Sequence, residues 1–332
     1  MTLIRNHDER QIGPITSALL RLGRTVRLRL RSRFTRNPDL HEAEEGASDL
    51  QYPIDRLAES DLLAWVEEAF PREWGIRLLF EGGAPEGTIV RGGSPRHLVV
   101  LDPVDGTRGL MHDKRSAWFL AGVASDEGGP TLQRLTHACL LELPTSRSSL
   151  SDVLLFGDGR VSSWTENVDG TNSQPLLLRP SCAHDLLHGF ATVNRFLWRD
   201  AAIWGSFQDR LLARLFPDAA DAGRRVFEDQ YISNGGQLHG LMTGRDRLVV
   251  DLRPLADERV GRPPLASHPY DMLALPIATS VGVVVTDARG QPLNSPLTLT
   301  DDVAWIGYAN PSLRAHVEPH IQAVLRDLFP GL

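Results

Sequence analysis

The chain has 332 residues, 42% hydrophobic and 23% charged, with a formal net charge of −7. That is room for two domains or one large layered one of ordinary soluble composition, and the negative balance speaks against a dedicated nucleic-acid binder. Two cysteines, Cys139 and Cys182, form neither a disulfide framework nor a metal-ligand spacing, and no apolar run is long enough to span a bilayer, so a cytoplasmic protein without membrane spans is expected.

The first pattern in chain order is arginine-rich. Ile15, Leu19, Leu22, Val26 and Leu30 recur at spacings of three and four, which predicts an amphipathic helix. Its arginines (Arg21, Arg24, Arg27, Arg29, Arg31, Arg33, Arg36) read as the solvated face of a docked helix, or alternatively as a patch for phosphate or a membrane surface. Acidic HEAEEGASD (41–49) reads as a polar loop. IDRLAESDLLAWVEEAFP reads as a helix from about Ile54 to Phe70, ended by Pro71.

IRLLF (76–80) suits a strand, and a Gly-, Pro- and Ser-rich loop (82–95) leads into a second strand at 98–101. WFLAGVA (118–124) and THACLLELP (136–144) read as further buried strands, and VLLFGDGRVSSW as a hairpin turning at Gly157-Asp158-Gly159. Later come a helix at 204–216, a helix in ISNGGQLHGLMTG ending at Gly244, and a strand at 247–252. HPYDMLALPIATSVGVVVTDARGQPL predicts a helix from near Asp271, a strand at VGVVV and a turn at Gly290. Alternating strands and helices give the class: α/β or mixed α+β, in layers.

The chemistry gathers in LDPVDGT (101–107). Asp102 and Asp105 end an apolar strand, where burial and mutual repulsion both oppose ionisation; a cation between them would relieve both. Pro103 restricts Asp102 to extended geometry, Gly106 permits a tight turn, and Thr107 can present a hydroxyl. The strip offers two carboxylates, the Val104 carbonyl and a hydroxyl, a hard oxygen set that suits Mg²⁺ rather than Zn²⁺. Asp-Pro and Asp-Gly also make ordinary turns. NVDGT (167–171) repeats part of the strip in a polar setting, and Asp169 reads as a plain loop residue.

LDPVDGT resembles the Asp-Pro-(Ile/Val/Leu)-Asp-Gly-Thr signature of the inositol monophosphatase family, within the Mg²⁺-dependent, lithium-sensitive phosphatases that include fructose-1,6-bisphosphatase. Further matches follow in order: Ile54-Asp55 resembles a Thr-x-x-Asp helix start, Glu81 the first acid of Gly-Glu-Glu, and Tyr270-Asp271 a Trp-Asp pair. The likeness spans roughly 50–295 and implies an α/β/α/β/α sandwich. The expected domains are an N-terminal α+β domain (1–165), whose Arg-rich opening extension (1–45) the likeness does not cover, and a C-terminal α/β domain (166–332).

By that resemblance, Glu81, Asp102 and the Val104 carbonyl hold one Mg²⁺, and Asp102, Asp105 and Asp271 a second, with two or three ions per site. Thr107, with Asp55 or Glu81, orients and deprotonates the attacking water, and the Gly106 and Thr107 N–H groups hold phosphate oxygens. Gly235, Gly236, Gln237 and Asp251 contact the substrate. Asp271 and Asp55 also read as helix-start charges, Glu81 competes with Glu86 in its loop, and His112 reads as a loop residue.

The pattern departs at Gly82, where the family has a second acid, and at Gly109-Leu110 followed by HDKR (112–115). Lys114 and Arg115 read either as contacts to a second phosphate or carboxylate or as a solvated turn. The resulting expectation is a homodimeric phosphatase of inositol or sugar phosphates. A 3′-nucleotidase of the same chemistry and a non-catalytic binder of phosphorylated ligands are the alternatives.

Overall fold

The computed structural model describes residues 12–34, 44–45, 50–51, 61–94, 96–218, 222–261 and 266–330. Asp55 and the 54–60 part of the expected helix lie outside the described residues.

Two sheets carry the fold. In the first half run α1 (Pro14–Phe34), a two-residue ladder of β1 (Glu44–Glu45) with β2 (Leu50–Gln51), α2 (Leu62–Ala69), β3 (Gly75–Phe80), β4 (Thr88–Arg91), β5 (Arg96–Asp105), α3 (Thr107–Met111), β6 (Ala117–Ser125), β7 (His137–Leu143), β8 (Leu150–Gly157), β9 (Arg160–Asn167) and β10 (Gln174–Pro175). They form an eight-stranded sheet in the order β10-β9-β8-β7-β6-β5-β3-β4, antiparallel except where β3 runs parallel to β5.

The second half adds β11 (Gly189–Val193), α4 (Ala201–Leu215), β12 (Val226–Phe227), α5 (Asn234–Met242), β13 (Asp246–Asp251), α6 (Arg253–Val260), α7 (Leu275–Ser280), β14 (Val284–Asp287), β15 (Trp305–Tyr308) and α8 (Pro311–Leu328). Its sheet has the order β12-β11-β13-β15-β14. Because β9 and β10 still belong to the first sheet, the change of sheet comes after Pro175.

The apolar pattern explains the layers. β5, β6 and β7 are buried on both faces, so they read as continuous hydrophobic runs. One face packs under α1 and α2, with Leu19, Leu22, Val26, Leu62 and Val66 against Val99, Leu101 and Phe119. The other, through Leu98, Val100, Leu120 and Leu140, meets α5, α7 and the second sheet, while α4 and α8 pack together in the same larger core. The order is helix, sheet, helix, sheet, helix: the expected α/β/α/β/α sandwich.

Three local readings change. The 82–95 loop contains β4, whose Thr-Ile-Val pairs with β3 between two glycine-bearing turns. The helix expected from Asp271 is a 3₁₀ turn (Pro269–Met272) followed by α7, because Pro276 has no N–H for the Met272 carbonyl and its ring would clash there. The arginines of α1 are not simply a solvated face: Arg27 is buried and Arg24 partly so, both on Glu166, while Arg31 donates to the Ser148 carbonyl at 2.7 Å. The hairpin at Asp158-Gly159 forms as expected, with φ of 53° and 70°.

Candidate active site

Residues three apart on a regular strand point to opposite faces. Asp102 pairs with Leu120 and Asp105 with Trp118, so three steps on β5 oppose two on β6, a one-residue bulge at Pro103-Val104. The bulge restores phase. Asp102 and Asp105 both join the face of Leu98 and Val100, while Val104 packs into the opposite core. The strip then closes on itself: Val104 N donates to Asp102 Oδ1 at 3.0 Å, and Thr107 Oγ1 donates to the Val104 carbonyl at 2.8 Å.

Gly106 turns the chain into α3 with φ of 97°, and an added Cβ would lie 2.9 Å from Ser233 Cβ. Only glycine meets both demands. That close approach brings the start of α5 onto Asp105, whose carboxylate accepts from Ser233 Oγ (2.7 Å), Asn234 N (3.1 Å) and Gly235 N (2.6 Å). Ser233 also caps the helix through Gly236 N, at 2.9 Å.

Asp271 arrives from the 3₁₀ turn, where its Oδ2 accepts from His268 N at 2.6 Å. It caps that turn and also joins the cluster: ligand oxygens of Asp102, Asp105 and Asp271 lie within 4.8 Å of one another. Glu81 follows β3, its N–H bonded to Leu101 O at 3.3 Å beside the end of β5, and lines the same cleft. Gly82 has φ of 79°, a conformation that would strain an acid at this position.

Burial, and then the charges of Glu81, Asp105 and Asp271, push the Asp102 carboxyl well above its ordinary range. Burial and Asp271 likewise raise Asp105 from 3.8 to about 7, despite its three donors. Among the described residues no ion pair joins Asp102 or Asp105. Converging hard oxygens, mutual repulsion and no protein cation on these two acids fit a divalent metal.

The expected substrate residues divide. Gly106, Thr107 and Gln237 line the cleft. Gly235 and Gly236 spend their N–H groups on Asp105 and on the Ser233 cap. Asp251 does not line the cleft; it is fully buried beneath it and holds Arg253, which does. Lys114 and Arg115 do not line it either: Arg115 bonds Asp229 at 2.6 Å and stacks over Tyr231. Glu86 and His112 are exposed, and Asp169 caps its own turn through Thr171.

Sequence reasoning missed Ser233, Asn194, Arg108 and Arg253 as contributors. One signal was available: Arg253 opens α6, where the helix dipole disfavours a cation, two residues after an acid that could hold it there.

Neither a protein-family model nor a curated protein matches the chain. Solved structures do. The suppressor protein SuhB of Bartonella henselae superposes with a TM-score of 0.63 at 15% identity, covering 93% of this chain and 99% of that one. Inositol monophosphatase II of Staphylococcus aureus, solved with inositol monophosphate, gives 0.58 at 16%, covering 95% and 98%. Fructose-1,6-bisphosphatase of Leishmania major gives 0.66 at 12%, covering 95% and 94%. The chain therefore has the fold shared by inositol monophosphatases and fructose-1,6-bisphosphatases.

Proposed function

We propose that this chain is a Mg²⁺-dependent phosphatase that hydrolyses a small phosphomonoester, an inositol or sugar phosphate, by direct attack of water. The observation that carries this reading is the convergence of Asp102, Asp105 and Asp271 on one buried point of this fold. Glu81, Asp102 and the Val104 carbonyl would hold one ion, and Asp102, Asp105 and Asp271 a second. Bound there, such ions supply a lowered pKa for the water and stabilise the leaving ester oxygen.

The chain's own groups do the rest. Thr107 Oγ1 donates a hydrogen bond to the Val104 carbonyl, which fixes the hydroxyl at the strip where it would orient the attacking water. Glu81 is the adjacent carboxylate to receive the proton, with Asp55 carried in the same role by the resemblance alone. The N–H groups of Gly106 and Thr107 hold phosphate oxygens, and Gln237 contacts the remainder of the substrate beside Asn194, to which it is bonded at 2.8 Å. Homodimer formation, lithium inhibition and a cytoplasmic location belong to the same reading.

Purified protein with Mg²⁺ is expected to cleave a generic aryl phosphate. Asp102→Asn keeps the acceptor for Val104 N but removes the charge. Because groups that merely support metal ligands are worth about 10–100-fold, a ligand itself is worth at least about 100-fold in rate. Failure to turn over any inositol, sugar or nucleotide phosphate would favour the non-catalytic binding alternative.

A further inference from the structure

The cleft floor is acidic, yet one wall is an arginine. Arg253 Nε and Nη2 donate to Asp251 Oδ1 and Oδ2 at 2.8 and 2.7 Å, and its guanidinium lies 4.5 Å from the centre of the Phe196 ring. The pair is one-sided: the Asp251 side chain is 0% exposed and that of Arg253 13%. Although burial alone would raise the Asp251 carboxyl, the Arg253 charge, with bonds from Asn194 and Ser267, holds it below its usual range. The acid is thus hidden and ionised, and the cleft meets the cationic edge of the pair.

At the start of α6 this arginine stands against the helix dipole and is held there by Asp251. A chain of contacts links it to the site: Ser267 Oγ sits 3.0 Å from Asp251 Oδ2 and 2.9 Å from Asn234 Oδ1, and Asn234 N donates to Asp105. Arg253 also walls a smaller adjoining cavity whose other charged residues are matched: Arg199 pairs with Asp200 and Asp257, and Arg195 with Glu228.

We infer that Arg253 is a specificity residue: it receives a second anionic group, a carboxylate or another phosphate, on the substrate whose phosphoryl group is hydrolysed. The inference rests on the phosphatase reading and deepens it. An acid available to a substrate hydroxyl would favour a neutral polyol; here that acid is committed to the guanidinium, and a fixed planar donor faces the cleft. The Nε–Nη2 edge of the guanidinium is committed to Asp251, so a second carboxylate or phosphate would meet its Nη end, a charge-assisted contact of the kind arginine makes with such anions.

Three substrates on one carbon skeleton test it: glucitol phosphate, gluconate phosphate and glucitol bisphosphate. With Mg²⁺, kcat/KM is expected to be at least about 10-fold higher for one of the two doubly anionic compounds, mostly through KM, and the better one identifies the group. Arg253→Gln should cut that preference at least about 10-fold, whereas Arg253→Lys should retain part of it. Because Arg253→Gln leaves Asp251 buried and alone, the double variant Asp251→Asn/Arg253→Gln is measured beside it and should show the same loss. An unchanged preference in both variants, or none in the parent protein, overturns the assignment. If no compound is hydrolysed, the phosphatase reading fails separately. Calorimetric binding of glucitol phosphate, gluconate phosphate and glucitol bisphosphate then decides on Arg253 by the same criterion: a preference lost with Arg253→Gln supports it, and equal binding overturns it.

Discussion

Two buried anionic sites lie on opposite faces of the first sheet, and they are built in opposite ways. On the α1 face, Glu166 of β9 is fully buried and accepts from Arg24 Nε (2.9 Å), Arg27 Nη2 (2.7 Å) and Trp164 Nε1 (2.7 Å). Burial alone would raise its carboxyl, but these partners hold it below the usual range. On the α5 face, Asp102 and Asp105 are as deeply buried, receive hydrogen bonds and each other's repulsion, and are raised. The protein neutralises one site with its own cations; at the other, among the described residues, no cation pairs with Asp102 or Asp105. On these two faces, the buried charge matched on every side by the chain reads as architecture, and the cluster without a matching charge is the one proposed to take a ligand.

Breaking the closed site gives the largest effect. Glu166→Gln leaves Arg27, whose side chain is 1% exposed, without its counter-charge. Removing one partner of a buried pair costs roughly 3–5 kcal/mol, a large share of the stability of an ordinary domain. Urea denaturation of both proteins measures it. Because this site is remote from the cleft, kcat of the folded fraction should stay unchanged; a fall in kcat with normal stability would show that the two faces are not independent.

The open site responds to pH and metal together. Asp105 titrates near 7 in the folded protein and near 3.8 unfolded, so between these values the folded state holds more protons. Stability of the metal-free protein contributed by this cluster is therefore fullest below about pH 4 and is lost as pH rises towards 7. Mg²⁺ bound at the proposed site would compete with that proton, so its affinity should rise over the same interval and its binding should release protons. Thermal melts with and without Mg²⁺ should differ more at pH 8 than at pH 5.5, because tighter binding adds more stability. Equal metal-induced shifts at both values would mean that these carboxyls are not where the metal binds.

The two sites also differ in how far the sequence exposes them. The strip Asp102–Thr107 was readable because its chemistry is local: Pro103, Gly106 and the spacing of the acids sit within a few residues. Asp271 was readable only through its likeness to a family segment, and Glu81 by its place after a strand. What stayed hidden depends on through-space partners. The bulge that swings Asp105 onto the face of Asp102 is a property of the β5–β6 pairing. The attachment of Arg27 to Glu166, 139 residues away, makes a patterned arginine structural instead of solvated. Lys114 and Arg115, a plausible anion site by composition, turn out not to line the cleft, and Arg253 lines it.

Within the closed site the two arginines are not equivalent, and this predicts the smallest effect. Arg24 and Arg27 both reach Glu166, but the Arg24 side chain is 23% exposed and that of Arg27 only 1%. Water can replace what Arg24 supplies, whereas at Arg27 there is no room for it. Arg24→Gln keeps a donor near Glu166 and leaves the buried Arg27 pair intact, so the cost should stay near that of a partly screened ion pair, about 1 kcal/mol or less. Raising the salt concentration should shrink it further. The comparison is a double-mutant cycle with Glu166→Gln: the coupling of Glu166 to Arg27 should exceed its coupling to Arg24 at least about twofold. Equal couplings would mean that burial is not what separates a structural charge from an exposed one on this face.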